Sequence, residues 1–284
     1  MTAIRDHEQN KRIKRALTVA GSDSGGGAGI QADLKTFQEL HVYGMSALTA
    51  VTAQNTLRVQ GIYPLTAEAV WQQIESVGSD IGVDALKTGM LFNAEIIETA
   101  ASQIKRFDWK CVVVDPVMIA KGGASLLRDE AISAMIQYLI PLALVITPNL
   151  PEAEVLTGLS IQTQEDKEEA ARALHAMGAK YVILKGGHDG KHDVVEDLLY
   201  DGQEYHYMRG KRIHTVRTHG TGCTFSAALT AELAKGYSVY EAAATAKQFI
   251  QAAVEEELWI GAGHGPTNHW AYQQRVNVQD KERV

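Results

Sequence analysis

A lone cysteine framed by glycines, His219-Gly220-Thr221-Gly222-Cys223-Thr224, is the stretch of this chain best suited to act on an anion. Gly220 and Gly222 leave backbone N–H groups free to turn inward, and a helical pattern starts immediately after them. Free N–H groups and a helix dipole together make an anion site. Cys223 stands where that dipole should lower its thiol pKa toward the reactive range. A thiolate there could take a proton from a hydroxyl while phosphate is transferred to that hydroxyl's oxygen. The bland reading is a small core cysteine closing a helix start, since cysteine is most often buried. The Gly-x-Gly frame tips the balance toward chemistry.

Two more loops follow apparent strands. Gly21-Ser22-Asp23-Ser24-Gly25-Gly26-Gly27-Ala28-Gly29 has five glycines in nine residues, which suits close approach of backbone to a ligand. Within it, Gly27-x-Gly29-x-x-Ala32 imitates a dinucleotide fingerprint. The strand ends too early for that motif, and Gln54 and Asn55 occupy the place of its acidic residue. The Gly-Lys-Ser/Thr phosphate loop is also missing. In Thr147-Pro148-Asn149-Leu150-Pro151-Glu152, Asn149 and Glu152 stand three apart and face the same way on a first helical turn. They suit a hydrated magnesium ion. They equally suit a helix start, with Asn149 as N-cap and Glu152 at N3. Both readings stand at this point.

Other residues take quieter readings. Lys185 ends a strand where it could meet phosphate charge or simply snorkel. His188, Asp189, His192 and Asp193 resemble a metal cluster but sit in a polar stretch that reads as a solvated loop. Cys111 opens an apolar strand and reads as core. His264 and His269 flank a turn.

These loops need a scaffold. Apolar runs at Arg15–Ala20, Ser46–Ala53, Ala85–Lys87, Cys111–Val114, Leu142–Thr147 and Tyr181–Lys185 predict strands. Helical patterns over Gly29–Leu40, Ala67–Gly78, Ala94–Lys105, Asp129–Tyr138 and Lys167–Met177 alternate with them. That alternation predicts an α/β fold with a mostly parallel sheet covered on both faces. Asp201-Gly202 predicts a hairpin turn between Leu198–Tyr200 and Glu204–Met208. Helices are expected over Thr224–Lys235 and Tyr240–Glu257. One domain over residues 14–272 is expected, between a solvated arm (1–13) and a frayed polar tail (273–284).

Composition narrows the function classes. With 45% hydrophobic and 21% charged residues among 284, the chain is globular in type. Its 27 basic and 34 acidic residues leave a net charge of −7, which argues against a nucleic-acid binder. Two cysteines exclude a disulfide framework and point to a reducing cytoplasm. No apolar run is long enough for a signal core or a membrane span.

Taken together, the motifs resemble the ribokinase-like family, and within it the bacterial kinases that phosphorylate hydroxymethylpyrimidine and its monophosphate for thiamin synthesis. The likeness runs from Ala16 to His269. It is carried by Ala20–Phe37, Ala53-Gln54-Asn55-Thr56, Lys87-Thr88-Gly89-Met90-Leu91, Asp115-Pro116-Val117-Met118, Ile146–Glu154, Lys185-Gly186-Gly187-His188 and His219–Thr224. It implies a three-layer α/β sandwich with a small lid and ATP-dependent transfer with Mg2+. The acceptors would be 4-amino-5-hydroxymethyl-2-methylpyrimidine and then its monophosphate. Cys223 would be the base, and Gly220, Thr221 and Gly222 the anion hole. Gln54, Asp33, Met90 and Gly21 would line the pyrimidine pocket. Lys185, Asn149 and Thr218 would meet ATP, with Glu152 and Asp115 on the metal side. A cytoplasmic homodimer is expected, without membrane or nucleic-acid partners. The alternative is a pyridoxine or pyridoxal kinase on the same scaffold. Such kinases carry a second cysteine in the lid, where this chain has Ala120, so Ala120 and Gln54 favour the pyrimidine.

Overall fold

The computed structural model describes residues 12–118, 129–188 and 193–282. Most of the expected arm, the lid residues around Ala120, and Asp189 and His192 lie outside these residues.

Among the described residues, nine strands form one sheet: β1 (Arg15–Asp23), β2 (Tyr43–Gln54), β3 (Val59–Pro64), β4 (Ala85–Thr88), β5 (Val112–Val114), β6 (Val145–Ile146), β7 (Tyr181–Leu184), β8 (Val194–Tyr200) and β9 (Tyr205–Lys211). Their spatial order is β3-β2-β1-β4-β5-β6-β7-β8-β9. Pairing is parallel from β2 to β7 and antiparallel at both edges, where β3 meets β2 and the β8–β9 hairpin meets β7. The helices are α1 (Gly29–Glu39), α2 (Ala67–Ser76), α3 (Ala94–Arg106), α4 (Asp129–Ala134), α5 (Leu150–Thr157), α6 (Gln164–Ala176), α7 (Thr221–Lys235), α8 (Val239–Glu255) and α9 (Ala271–Glu282).

Strand geometry explains the three layers. Successive side chains point to opposite faces, so a strand with both faces covered must be apolar at every position. Leu17, Leu86, Val112, Val114 and Ile146 join one buried cluster with residues of α2, α3 and α6. Their neighbours Ala16, Ala85, Val113 and Val145 join the other, with Phe37 of α1, Phe225 of α7 and Phe249 of α8.

This order creates a switch point at β1. The chain leaves β1 toward β2 on one side and later returns as β4 on the other. Crevices for ligands open at the carboxyl ends of strands where the order reverses. Gly21–Asp23 end β1, and Gly89 and Met90 follow β4, so two of the motif loops meet at that crevice.

Several elements differ from expectation, each for a local reason. β3 carries Gly61 and Pro64 and has no apolar run, yet it pairs with Ala50–Gln54 as an edge strand, where proline is tolerated. The strand expected over Leu142–Thr147 shrinks to Val145–Ile146, because Pro141 sits in a short 3-10 turn at Ile140–Leu142. α6 starts at Gln164, three residues early, behind a Thr163–Asp166 capping box. Where a frayed tail was expected, α9 continues to Glu282. Gln273 Nε2 donates to Glu39 O at 2.8 Å, and Arg275 Nη1 meets Glu255 Oε2 at 2.6 Å.

Candidate active site

A cavity of about 800 Å3 runs along the carboxyl ends of the strands. That is room for a nucleotide and a small ring together. Cys223, Gly220, Thr221, Gly222, Gln54, Met90, Gly21, Lys185, Asn149, Thr218, Glu152 and Asp115 all line it. Asp33 does not. It is fully buried behind the wall, taking Lys87 Nζ at 2.7 Å and Thr18 Oγ1 at 2.6 Å. Its position on α1 turns it toward the sheet, so the expected lining role passes to its partner Lys87, which does reach the cavity.

The cysteine loop is part of a helix, not a prelude to one. α7 starts at Thr221 with Gly220 as N-cap, which places Cys223 in the first turn. The first helical backbone bond runs from Thr224 N to Gly220 O at 2.8 Å. The N–H groups of Gly222 and Cys223 therefore lack intrahelical acceptors, and they stand at the cavity. Thr221 is tied to Thr218 O through its N–H (3.3 Å) and its hydroxyl (2.6 Å), which holds the turn rigid.

Glycine is required at Gly220. Its φ is +84°, and a Cβ there would overlap the carbonyl oxygen of Gly27. A Cβ at Gly222 would meet the flexible Lys185 Nζ at 3.2 Å and, at ordinary contact distance, Asp115 Oδ2 at 4.0 Å. Gly220→Ala is therefore expected to cost roughly 2 kcal/mol or more in thermal or urea melts, from left-handed strain plus a backbone clash. Gly222→Ala should unfold within about 0.5 kcal/mol of the parent.

Electrostatics overturn one expectation. Burial pushes the Cys223 thiol up, to about 11, instead of down. Lys87 pulls the other way, as does a hydrogen bond from Gly29 N–H, but Asp33 and Asp115 add to the burial. The helix dipole is a partial charge, and it loses to desolvation with two carboxylates nearby. Cys111 is half-buried in the wall of the core, and burial alone pushes it to about 11.

Beside the same helix start stands a second charged group. Asn149 Oδ1 accepts Glu152 N at 2.9 Å, and Glu152 Oε2 accepts Asn149 N at 2.9 Å, so the capping box is real. It does not exhaust Glu152, which still lines the cavity. Burial raises Glu152 to about 7 against the pull of Lys185, and Asp115 pushes it further. Lys185 Nζ lies 2.9 Å from Asp115 Oδ1, while Asp115 Oδ2 takes Ser226 Oγ at 3.0 Å. Burial would raise Asp115 too, but Lys185 and Lys87 hold it below its ordinary value. Among the described residues no three His, Cys, Asp or Glu side chains are grouped to hold a metal.

Lys87, Asp23 and His219 also line the cavity, and the sequence reading gave none of them a role. Lys87 hides in an apolar strand. Asp23 and His219 lie 2.8 Å apart, Oδ2 to Nε2, across 196 residues of chain. Their spacing offers no local signal. His269, read as a turn residue, is buried against Thr224 Oγ1 at 3.1 Å, and burial lowers it to about 4.

The sheet order and the strand-end cavity define a ribokinase-like small-molecule kinase. The chain belongs to the phosphomethylpyrimidine kinase family, whose model matches residues 23–268. It is 57% identical over 261 residues to the hydroxymethylpyrimidine/phosphomethylpyrimidine kinase of Bacillus subtilis, covering 92% of this chain and 96% of that protein. A Bacillus subtilis pyridoxal kinase solved with ADP superposes with a TM-score of 0.86 at 48% identity, covering 93% of this chain and 100% of that one. A phosphomethylpyrimidine kinase structure from Clostridium difficile gives a TM-score of 0.75 at 44% identity, covering 84% and 98%. Among the described residues no helix is long and apolar enough to cross a membrane.

Proposed function

We propose that this kinase transfers the γ-phosphoryl group of ATP to the hydroxyl of 4-amino-5-hydroxymethyl-2-methylpyrimidine, and then a second phosphoryl group to the resulting monophosphate. The observation that carries this reading is one cavity holding three things. It is lined by Cys223 and the N–H groups that open α7, by Gln54 and Met90, and by Lys185 with two carboxylates.

In the first transfer the pyrimidine hydroxyl oxygen forms the new bond to γ-phosphorus. The bond from phosphorus to the β,γ-bridging oxygen breaks, ADP leaves, and the hydroxyl proton passes to Cys223 Sγ. The transition state is loose, so positioning and charge stabilisation carry most of the work. The N–H groups at the start of α7 hold the equatorial oxygens. Lys185 meets the same charge. Gln54 supplies an amide edge that matches an aminopyrimidine, and Met90, against Gly21, forms an adaptable apolar wall.

Magnesium fits the donor set. Glu152 and Asp115 supply hard carboxylate oxygens, and a small ion that keeps most of its waters needs no larger protein cage. Bound there, it would screen the phosphate charge. Glu152 gives this a pH signature. Its folded pKa, about 7, lies above its ordinary value, so the native state holds an extra proton between the two. Stability from this group therefore falls as pH rises through that window. Its charge for the cation appears over the same range. Titration calorimetry of magnesium–nucleotide binding should show up to about tenfold weaker binding at pH 6 than at pH 8. Glu152→Gln, which keeps a capping side chain, should flatten that dependence.

The deciding assay measures ADP release by the purified protein with the pyrimidine alcohol and with pyridoxal as acceptors. A kcat/KM favouring the pyrimidine supports the proposal. The reverse preference would make this a pyridoxal kinase.

A further inference from the structure

Gln54 offers its substrate either an amide oxygen or an amide nitrogen, and which one is set by its neighbours. Two of them are unusually well fixed. Asp23 is 4% exposed and its carboxylate is crowded with donors: Gly25 N at 2.8 Å on Oδ1, and Gly27 N at 3.0 Å and Ala28 N at 2.9 Å on Oδ2. His219 Nε2 completes the set, 2.8 Å from Oδ2. Burial alone would raise Asp23, but His219 and the N–H groups hold it charged. The imidazole is equally confined. A Cβ on Gly27 would come within 2.6 Å of His219 Cδ2. The His219 backbone is pinned on both sides, N to Gly265 O at 3.1 Å and O from Thr267 N at 3.2 Å.

A carboxylate only accepts, so the proton of His219 must sit on Nε2. Nε2 also lies 3.2 Å from the Gln54 amide nitrogen, as that amide is placed. Two N–H donors facing each other do not attract. Amide oxygen and nitrogen are assigned by hydrogen-bond logic, and here the logic turns the amide over. Oε1 then shares the His219 N–H with Asp23. The NH2 group takes over the 3.3 Å contact with Thr52 Oγ1, whose own proton goes to Ser22 O at 2.9 Å. Each donor in the cluster then meets an acceptor except one amide proton of Gln54, which is left for the cavity.

We infer that Asp23 and His219 are positioning residues that orient the Gln54 amide and thereby set which ring the kinase accepts. The inference rests on the reading that Gln54 meets the pyrimidine edge. An aminopyrimidine presents a ring nitrogen acceptor directly beside a donor amine. An amide in a fixed orientation reads such a pair bidentately, N–H to ring nitrogen and oxygen to amine. Turned over, it would set oxygen against ring nitrogen and donor against donor. A pyridine alcohol of the vitamin B6 type has no adjacent acceptor–donor pair of this kind, so it is indifferent to the orientation.

The test is a cycle of His219→Leu, His219→Gln and Gln54→Ala, assayed with the pyrimidine alcohol, pyridoxal and ATP. His219→Leu removes the N–H. It should raise the pyrimidine KM by about tenfold or more while kcat and the KM for ATP stay within about threefold. The preference for pyrimidine over pyridoxal should fall by a similar factor. Glutamine reaches about as far as Nε2 and carries an N–H, so His219→Gln should recover the pyrimidine KM to within about threefold. In the Gln54→Ala background, His219→Leu should add less than about twofold. Additive losses in that background would overturn the inference while leaving the role of Gln54 intact. So would equal losses of kcat with both acceptors, or no recovery with glutamine. A Gln54→Ala variant with unchanged pyrimidine KM would sink both together. Should His219→Leu not fold, Asp23→Ala, which removes the acceptor that fixes the tautomer, carries the same expectation.

Discussion

Cys223→Ala is expected to lower kcat for the first phosphorylation by about 10²- to 10⁴-fold, the usual worth of a positioned base, and to leave the second nearly untouched. The split follows from the acceptors. The first is an alcohol, whose proton must leave as its oxygen bonds to phosphorus. The second is a phosphate monoester with a second pKa near 6, so at pH 8 its attacking oxygen is already bare. It asks nothing of a base. The raised thiol fits both steps: burial holds Cys223 near 11, so most of it is neutral beside an incoming dianion. A thiolate there would repel the second acceptor. The cost falls on the first step, which uses the small ionised fraction and so should rise with pH well above 8. Rates for each acceptor, followed separately by chromatography of mono- and diphosphate products, check the split. Nucleotide affinity of the variant should match the parent, because Lys185, Asn149 and the α7 N–H groups are unchanged. Equal losses in both steps would make Cys223 a packing residue of the anion turn.

Much of the scaffold was legible because it obeys local rules. Cys111–Val114 and Tyr181–Lys185 read as doubly covered strands, and the alternate burial of Val112, Val113 and Val114 in two clusters bears that out. The cavity loops were legible too, since glycine and turn chemistry mark them. What escaped depends on partners far away in the chain. β3 exists through its pairing with Ala50–Gln54, not through its own apolarity. α9 is polar and has little helical periodicity, and it is tied down by Glu39 and Glu255. The resemblance placed Asp33 in the lining of the pyrimidine pocket. The turn of α1 instead points it at Thr18 and Lys87. The direction of the Cys223 shift was misread for a related reason. A helix dipole can be read from sequence, whereas desolvation and the approach of Asp33 and Asp115 cannot.

Lys87 shows how costly such a hidden partner can be. Its side chain and that of Asp33 are both 0% exposed, with Nζ and Oδ1 2.7 Å apart. Burial works against its charge, but Asp33, then Cys223 and Asp115, hold it protonated. Lys87→Met is expected to destabilise the protein by about 3–5 kcal/mol, because truncating one side leaves a buried, uncompensated carboxylate. For a chain of this length that is roughly 5–10 °C in a thermal melt. Lys87→Met with Asp33→Asn removes the orphaned charge, and most of the stability should return. The two readouts then part. Lys87 is the leading group that opposes the upward push on the Cys223 thiol, ahead of the effect of Asp33. Removing both groups still leaves the thiol harder to ionise, so the first phosphorylation should stay below the parent rate in the stable double variant. The second, which needs no base, should recover with the fold. A double variant that regains both reactions would reduce the pair to a structural tie under the cavity floor. One that regains stability and only the second reaction identifies Lys87 as the cation that lets a buried cysteine act as a base.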